Sequence, residues 1–309
     1  MKSYSHGDSK YGKYNNKRET MSLWYHVENA ISDHTRSPFK ITSQEEIGGG
    51  CINTAYKISN GNTDWFVKTN KASLVDMFAS EADALNEMAD SNTVKVPRAL
   101  CYGRVDGHSY LVLEYLSLNG SADMALFAQQ LAAMHKVTSK TFGWHRDNVI
   151  GATKQINTQK NNWIDFWRQE RLGFQLELAQ RNGCSRELVK QGERLSDCLG
   201  EFFGDYQPEA SMLHGDLWSG NYAGMADKTP VIFDPAFYYG DREADIAMTT
   251  LFGGFNQQFY QAYNAAWPMD KGYQQRVPLY NVYHIINHFN LFGGGYESQA
   301  VSMLQRLME

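Results

Sequence analysis

The chain has 309 residues, 42% of them hydrophobic and 20% charged. These are close to globular averages, which excludes collagenous, coiled-coil and largely disordered chains and leaves room for about two domains at roughly 100 to 200 residues each. Lys and Arg number 29 against 34 Asp and Glu, a net charge of −5, so no overall basic field exists to hold a nucleic acid. The cysteines Cys51, Cys101, Cys184 and Cys198 form no CxxC pair and no metal-ligand spacing; neither a zinc site nor a disulfide framework is expected, and a reducing cytoplasm fits.

Residues 1–21 mix Ser, Tyr, Lys, Asn and Gly without periodicity and lack the apolar region of a secretory signal, so they read as a disordered arm or a cloning remnant. No apolar run approaches a membrane span. A first helix is expected from a Ser22 cap through Trp24, Val27 and Ile31, ending before Pro38. Strand alternation over Thr54 to Ser59, the turn pair Asn60-Gly61 and a returning strand over Asp64 to Thr69 predict a hairpin. Trp65 and Val67 share one face of it, so Lys68 points to the other. A helix over Ser73 to Ala89 carries Leu74, Phe78, Ala82 and Leu85 on one stripe with Glu81 beside it. Strands over Ala99 to Val105 and Tyr110 to Leu116 complete a small sheet, and the polar stretch Ser117 to Ser121 reads as a link.

Helices dominate after that link. One is marked by Phe127, Leu131 and Met134, a longer one by Trp163, Phe166, Trp167, Phe174 and Leu178, and a third spans Leu188 to Phe203. His135 sits on the apolar first of these and reads as a satisfied core histidine. The short apolar runs Met212-Leu213 and Val231-Ile232-Phe233 suit buried strands that deliver polar residues at their ends. Further helices are expected around Met248, Tyr260 and Tyr283 to Phe289, and Gly293 to Gly295 read as a helix end.

The most informative stretch is Leu213-His214-Gly215-Asp216-Leu217-Trp218-Ser219-Gly220-Asn221, with Phe233-Asp234-Pro235 following. Phosphoryl transfer from ATP needs a carboxylate to orient the attacking hydroxyl and oxygen ligands to hold Mg²⁺ against the phosphates. Asp216 is the candidate base, and Asn221 and Asp234 are the candidate metal ligands. Kinase catalytic loops place the metal-binding Asn five residues after the Asp, the spacing found here. Upstream, Gly48-Gly49-Gly50-Cys51-Ile52-Asn53 precedes the hairpin as a phosphate-binding turn, with Lys68 and Glu81 as the phosphate-positioning pair. Asp241, Glu243 and Asp245 put three carboxylates in five residues. Asp245 reads as scaffolding that caps the apolar helix behind it; Asp241 and Glu243 read either as contacts for an amine-bearing substrate or as scaffolding.

The runs LHGDLWSGN, IFDPAFYYGDREADIAM and NHFNLFGGGY, with GGGCINTAY upstream and FWRQERLGFQLELA between, resemble the fructosamine kinase (ketosamine 3-kinase) family from about Ile47 to the C-terminus. That resemblance implies an α+β, protein-kinase-like fold shared with aminoglycoside phosphotransferases and ATP-dependent phosphorylation of the 3-hydroxyl of ketosamines, whose product is unstable, so that the adduct is removed. It implies Asp216 as base, Asn221 and Asp234 as Mg²⁺ ligands, Lys68 with Glu81 at the phosphates, and backbone groups of Glu114, Tyr115 and Leu116 at adenine. It also makes Trp218 a candidate sugar platform, with loop packing as its alternative role. His214-Gly215 stands where eukaryotic protein kinases have His-Arg and Asp234-Pro235-Ala236 where they have Asp-Phe-Gly, with no Ala-Pro-Glu after it, so His214 is expected to be structural and phosphorylation control absent. A Cys51 thiol among phosphate-binding N–H groups invites oxidation that blocks nucleotide binding.

The expected architecture is therefore a two-lobed kinase: an antiparallel nucleotide-binding N-lobe over residues 22–117 and a mostly helical catalytic C-lobe over 118–309. Its expected partners are ATP, Mg²⁺ and a free or protein-bound ketosamine, with no nucleic acid, no membrane and a monomeric state. A kinase of another amine-bearing alcohol, of aminoglycoside or choline type, and a pseudokinase binding module are the alternatives.

Overall fold

The computed structural model describes the backbone of residues 10–48 and 52–309, with side chains from residue 22 onward. By its internal packing the chain divides into two units, one of residues up to Ala82 with Arg98–Tyr115, the other of Asp83–Pro97 with Leu116–Glu309.

The first unit opens with α1, Lys10–Thr35. It starts well before Ser22, which lies inside the helix and does not cap it. The arm expected over residues 1–21 falls on residues 1–9, outside the described residues, and on the opening turns of α1. An antiparallel sheet follows, built from β1 (Ser43–Ile47), β2 (Thr54–Ser59) and β3 (Asp64–Lys71), then, after the helix α2 (Val75–Asp90), β4 (Ala99–Val105) and β5 (His108–Glu114), in the order β1-β2-β3-β5-β4. β1 escapes periodicity because its sequence, SQEEI, is charged and almost wholly exposed, a suitable composition for an edge strand, where charge discourages pairing with another chain. Leu23, Val27 and Ile31 of α1 pack on Phe39, Ile58, Val67, Cys101, Tyr110 and Val112. Leu23 rather than Trp24 leads that stripe; Trp24 lies half-buried, its ring edge on Tyr56 with centroids 5.0 Å apart.

In the second unit α3 (Met124–His135) is capped by Asp123, whose side chain accepts from the Ala125 and Leu126 N–H groups. A two-stranded ribbon, β6 (Asn148–Ile150) and β7 (Thr153–Gln155), follows. The long helix expected around Trp163 to Leu178 is interrupted: α4 (Trp163–Phe166) passes into a π-helical segment, Trp167–Gly173, before α5 (Phe174–Arg181). Next come α6 (Arg186–Cys198), β8 (Ser211–Leu213), β9 (Tyr222–Gly224), β10 (Pro230–Ile232), β11 (Tyr238–Gly240) and α7 (Arg242–Met248). The chain closes with α8 (Gln257–Ala266), α9 (Tyr273–Phe292) and α10 (Tyr296–Leu307). β8 pairs with β11 and β9 with β10, both antiparallel. α9 packs against α7, α5 and α10, and its run from Leu279 to Asn287 is buried throughout, the polar Asn281, His284 and Asn287 included. It ends where Gly293 adopts φ +64° and donates its N–H to the Phe289 carbonyl at 2.8 Å. Among the described residues no helix is long and apolar enough to cross a membrane.

Candidate active site

The two short ribbons of the second unit interleave along the chain, and that order sets the site. The loop His214–Asn221 joins β8 to β9, and the loop Phe233–Phe237 joins β10 to β11. Each ribbon therefore holds one end of both loops. Asn221 Nδ2 donates to the Asp216 carbonyl at 2.8 Å and lies 3.3 Å from Asp216 Oδ2, and the Phe233 N–H donates to the Asn221 carbonyl at 3.1 Å. Burial and the neighbouring Asp234 carboxylate push the Asp216 carboxyl up to about 7, against the Asn221 hydrogen bond, which lowers it. A carboxylate with its pKa near neutrality is matched to proton transfer.

Behind this loop lies a chain of buried polar groups. Asp245 of α7 accepts from the His214 N–H at 2.7 Å and the Gly215 N–H at 2.8 Å. Its Oδ2 lies 3.2 Å from His135 Nε2, and His135 Nδ1 lies 2.7 Å from the Tyr263 hydroxyl. Burial opposes the charge on Asp245, but these donors hold its pKa below the ordinary carboxylate value. Burial lowers the His135 pKa and keeps the ring neutral. His214 is fully buried; its Nε2 sits 2.9 Å from the Phe233 carbonyl and its Nδ1 accepts the Asp216 N–H at 3.2 Å. A carbonyl needs a donor and an N–H needs an acceptor, so these partners fix the neutral Nε2–H tautomer. The ring thereby ties the Asp216 loop to the residue before Asp234.

The first unit carries its own charged pair. Lys68 on β3 stands opposite Ala55 and Leu111 and reaches Glu81 of α2 with Nζ 2.5 Å from Oε1, both side chains about nine-tenths buried. Gly48 is exposed, while Gly49, Gly50 and Cys51 lie outside the described residues. Asn53 Oδ1 and the Ile52 carbonyl both accept from Asn70 Nδ2, at 2.7 and 2.9 Å, which ties the turn before β2 to the end of β3. The Glu114 N–H donates to the Arg98 carbonyl at 2.8 Å, and the Tyr115 ring lies under the Lys57 ammonium at 4.4 Å. Leu116 follows Tyr115 as the first residue of the next segment of the chain.

The model of the fructosamine kinase family matches residues 23–309. The chain belongs to the fructosamine kinase family. A probable ketoamine kinase of Synechocystis sp. is 46% identical over 92% of this chain and 97% of its own length. The chloroplastic protein-ribulosamine 3-kinase of Arabidopsis thaliana is 42% identical over 86% of this chain and 82% of its own. In three dimensions, a candidate fructosamine-3-kinase of Haemophilus somnus superposes with a TM-score of 0.85 at 28% identity, covering 94% of this chain and 99% of that one. An aminoglycoside phosphotransferase mutant in ternary complex with AMP-PNP and hygromycin B superposes with a TM-score of 0.61 at 14% identity, over 90% and 97%. At that identity the likeness is one of fold, and the fold is protein-kinase-like.

The sequence reading leaves the carboxylates after β11 either to a substrate or to scaffolding, and their surroundings favour scaffolding. Asp241 and Glu243 are each 0% exposed. Asp241 caps α7, accepting the Glu243 N–H, and takes hydroxyl hydrogen bonds from Tyr206 at 2.9 Å and Tyr280 at 2.5 Å. Glu243 receives the Arg276 guanidinium through Nε at 2.6 Å and Nη2 at 3.0 Å. Their oxygens are taken up by these partners in the interior. Asp245, expected to cap α7, sits inside that helix and binds the His214–Asn221 loop instead.

Trp218 is 36% exposed and meets Phe252 edge to face, with ring centroids 6.1 Å apart. Aromatic contacts continue from Phe252 to His288 at 4.9 Å and from His288 to Phe292 at 5.7 Å. Asn70 and Phe252 lie outside the recognised motifs, and sequence spacing gave no signal for either.

The donor set suits a cation shared with phosphates. Asn221 Nδ2 is committed to Asp216, which leaves Oδ1 as the amide atom that a metal would use, and the Asn221 carbonyl accepts from the Phe233 N–H, one residue before Asp234. Among the described residues no cluster of three or more His, Cys, Asp or Glu side chains could hold a metal alone. Two protein oxygens completed by phosphate and water is the usual provision for Mg²⁺.

Proposed function

We propose that this chain transfers the γ-phosphoryl group of ATP to the 3-hydroxyl of ketosamines, with Asp216 as base and with Mg²⁺ held by Asn221 and Asp234. Kinase activity on ketosamines is what membership of the fructosamine kinase family gives it; the residue roles are our own reading. The observation that carries them is the position of Asn221 between the two loops: its amide nitrogen is spent on Asp216, and its backbone carbonyl accepts from Phe233, the residue before Asp234. Bound Mg²⁺ would neutralise charge on the phosphates and offset the Asp234 charge that raises the Asp216 pKa. Asp216 then orients the ketosamine hydroxyl and accepts its proton as the oxygen bonds to the γ-phosphorus and the bond to the β-phosphate oxygen breaks, releasing ADP.

Lys68, held by Glu81, positions the phosphates, with N–H groups of the Gly48 to Asn53 turn against them. Backbone groups of Glu114 to Leu116 meet adenine. Trp218, exposed two residues after the base, offers its face to the sugar. His214 and Asp245 position the loop, and we assign Asp241 and Glu243 to scaffolding. The thiols of Cys101, Cys184 and Cys198 are unpaired, consistent with work in the cytoplasm.

ATP consumption with fructoselysine, ribuloselysine, kanamycin and choline separates the alternatives. The expected result is turnover on the two ketosamines at least about tenfold above the others, a discrimination readily reached by hydrogen bonding to substrate hydroxyls. Faster turnover on kanamycin or choline would replace this reading with another small-molecule kinase. Nucleotide binding without turnover on any of them would make the chain a binding module.

A further inference from the structure

The run FWRQERLGFQLELA contributes no residue to the site as described, yet it contains Arg171, one of the largest fully buried side chains. Arg171 lies in the π-helical segment Trp167–Gly173. Gly173 admits that wide turn, since a Cβ there would meet the Arg168 carbonyl oxygen at 2.6 Å. Nη1 of Arg171 donates to the Ile156 carbonyl at 2.5 Å and the Glu170 carbonyl at 3.0 Å, and Nη2 donates to Asn157 Oδ1 at 2.7 Å. The guanidinium lies over the rings of Tyr238 at 4.0 Å and Phe166 at 4.6 Å. None of these acceptors is a carboxylate. A buried cation held only by neutral oxygens and ring faces is costly, and its place in the fold shows what it holds.

From Asn157 a relay of side-chain amides runs to the loop that carries Asp234. Asn157 Nδ2 donates to Asn148 Oδ1 at 2.9 Å, and Asn148 Nδ2 donates to the Phe237 carbonyl at 2.8 Å. Gln155 Nε2 donates both to Asn148 Oδ1 and to the Ala236 carbonyl, each at 2.9 Å, while Gln155 Oε1 accepts from the Tyr283 hydroxyl at 2.9 Å. The Ala236 carbonyl is the atom that a Cβ on Gly215 would meet at 2.0 Å. Gln155 therefore holds the point at which the Asp234 loop touches the Asp216 loop. Asp234 itself has φ +58°, a conformation unfavourable for a side-chain-bearing residue that persists only where the surroundings impose it.

We infer that Arg171 is a positioning residue for the metal site, setting the Asp234 loop through the Asn157, Asn148 and Gln155 amides. This rests on the assignment of Asp234 as a metal ligand. Partners outside the coordination sphere that orient ligands typically change metal affinity by about 10- to 100-fold.

The test uses the full chain with Mn²⁺ and AMP-PNP. Free Mn²⁺ is followed by electron paramagnetic resonance, affinity for metal-free ADP is measured in EDTA, and thermal unfolding reports folding. Arg171→Met and Gln155→Met are expected to weaken Mn²⁺ binding by about 10- to 100-fold while ADP affinity in EDTA stays within about twofold. Should Arg171→Met fail to fold, Gln155→Met carries the test alone, since it keeps side-chain volume. Parental Mn²⁺ affinity in folded Gln155→Met, or an ADP affinity that falls in proportion to that for Mn²⁺, overturns the inference. Asp234→Asn separates the two levels: if it binds Mn²⁺ as the parent does, the metal-site assignment has failed, not the relay.

Discussion

At the scale of single residues, the hydrogen bonds of Asn221 and His214 fix how each side chain is oriented. Asn221 gives its nitrogen to Asp216 and keeps its oxygen, and the two partners of His214 fix one neutral tautomer. Asp216 is the residue to which we assign the base role. Asp216→Asn keeps shape and volume but cannot take a proton, so kcat should fall by about 10² to 10⁴ while ATP affinity is largely retained. Retention of more than about a tenth of parental kcat would remove Asp216 from the base role. The candidates themselves could be named from the sequence because phosphoryl transfer demands fixed residue types at a fixed separation. Burial was not legible. Asp241 and Glu243 look like surface carboxylates until Tyr206, Tyr280 and Arg276, each more than thirty residues away, are seen to close over them.

At the scale of elements, the loops are spaced by contact between their backbones. Gly215 has φ +83°, and a Cβ there would lie 2.0 Å from the Ala236 carbonyl oxygen, so only glycine allows the catalytic loop to lie against the Asp234 loop. Gly215→Ala should cost about 1 to 3 kcal/mol in stability through overpacking and at least about a hundredfold in kcat through displacement of the base. Gly61 is the control. It also has positive φ, at +91°, but a Cβ there meets nothing within 4 Å, so Gly61→Ala should strain its turn and leave kcat unchanged. Equal kcat losses in the two variants, measured beside chemical denaturation, would show that the close approach at Gly215 is not what matters. Periodicity found α2, α3 and the β2–β3 hairpin because each is long enough to repeat. It missed β6, β7, β9 and β11, strands of three residues each, too short to display any period. It also joined α4 to α5 as one helix, because a π-helical segment shifts the phase of a stripe without ending it.

At the scale of the whole molecule, each unit completes its own charged constellation: Lys68 with Glu81 in the first, and Asp216, Asn221 and Asp234 over Asp245 and His135 in the second. α2 contributes to both. Glu81 belongs to the first unit, and in the second Glu87 accepts from Trp144 Nε1 and the Tyr239 hydroxyl, each at 2.8 Å. The family resemblance in the sequence pointed to the same fold that the structural neighbours share, since its motifs fall on the loops that the short ribbons hold. The central claim concerns where the phosphate goes. Nuclear magnetic resonance of the product formed from ATP and fructoselysine measures this directly through coupling between phosphorus and the sugar protons. The account predicts phosphate on O3, followed by release of free lysine as that ester breaks down. Phosphate at any other sugar position, or a stable product that retains its amine, would contradict it.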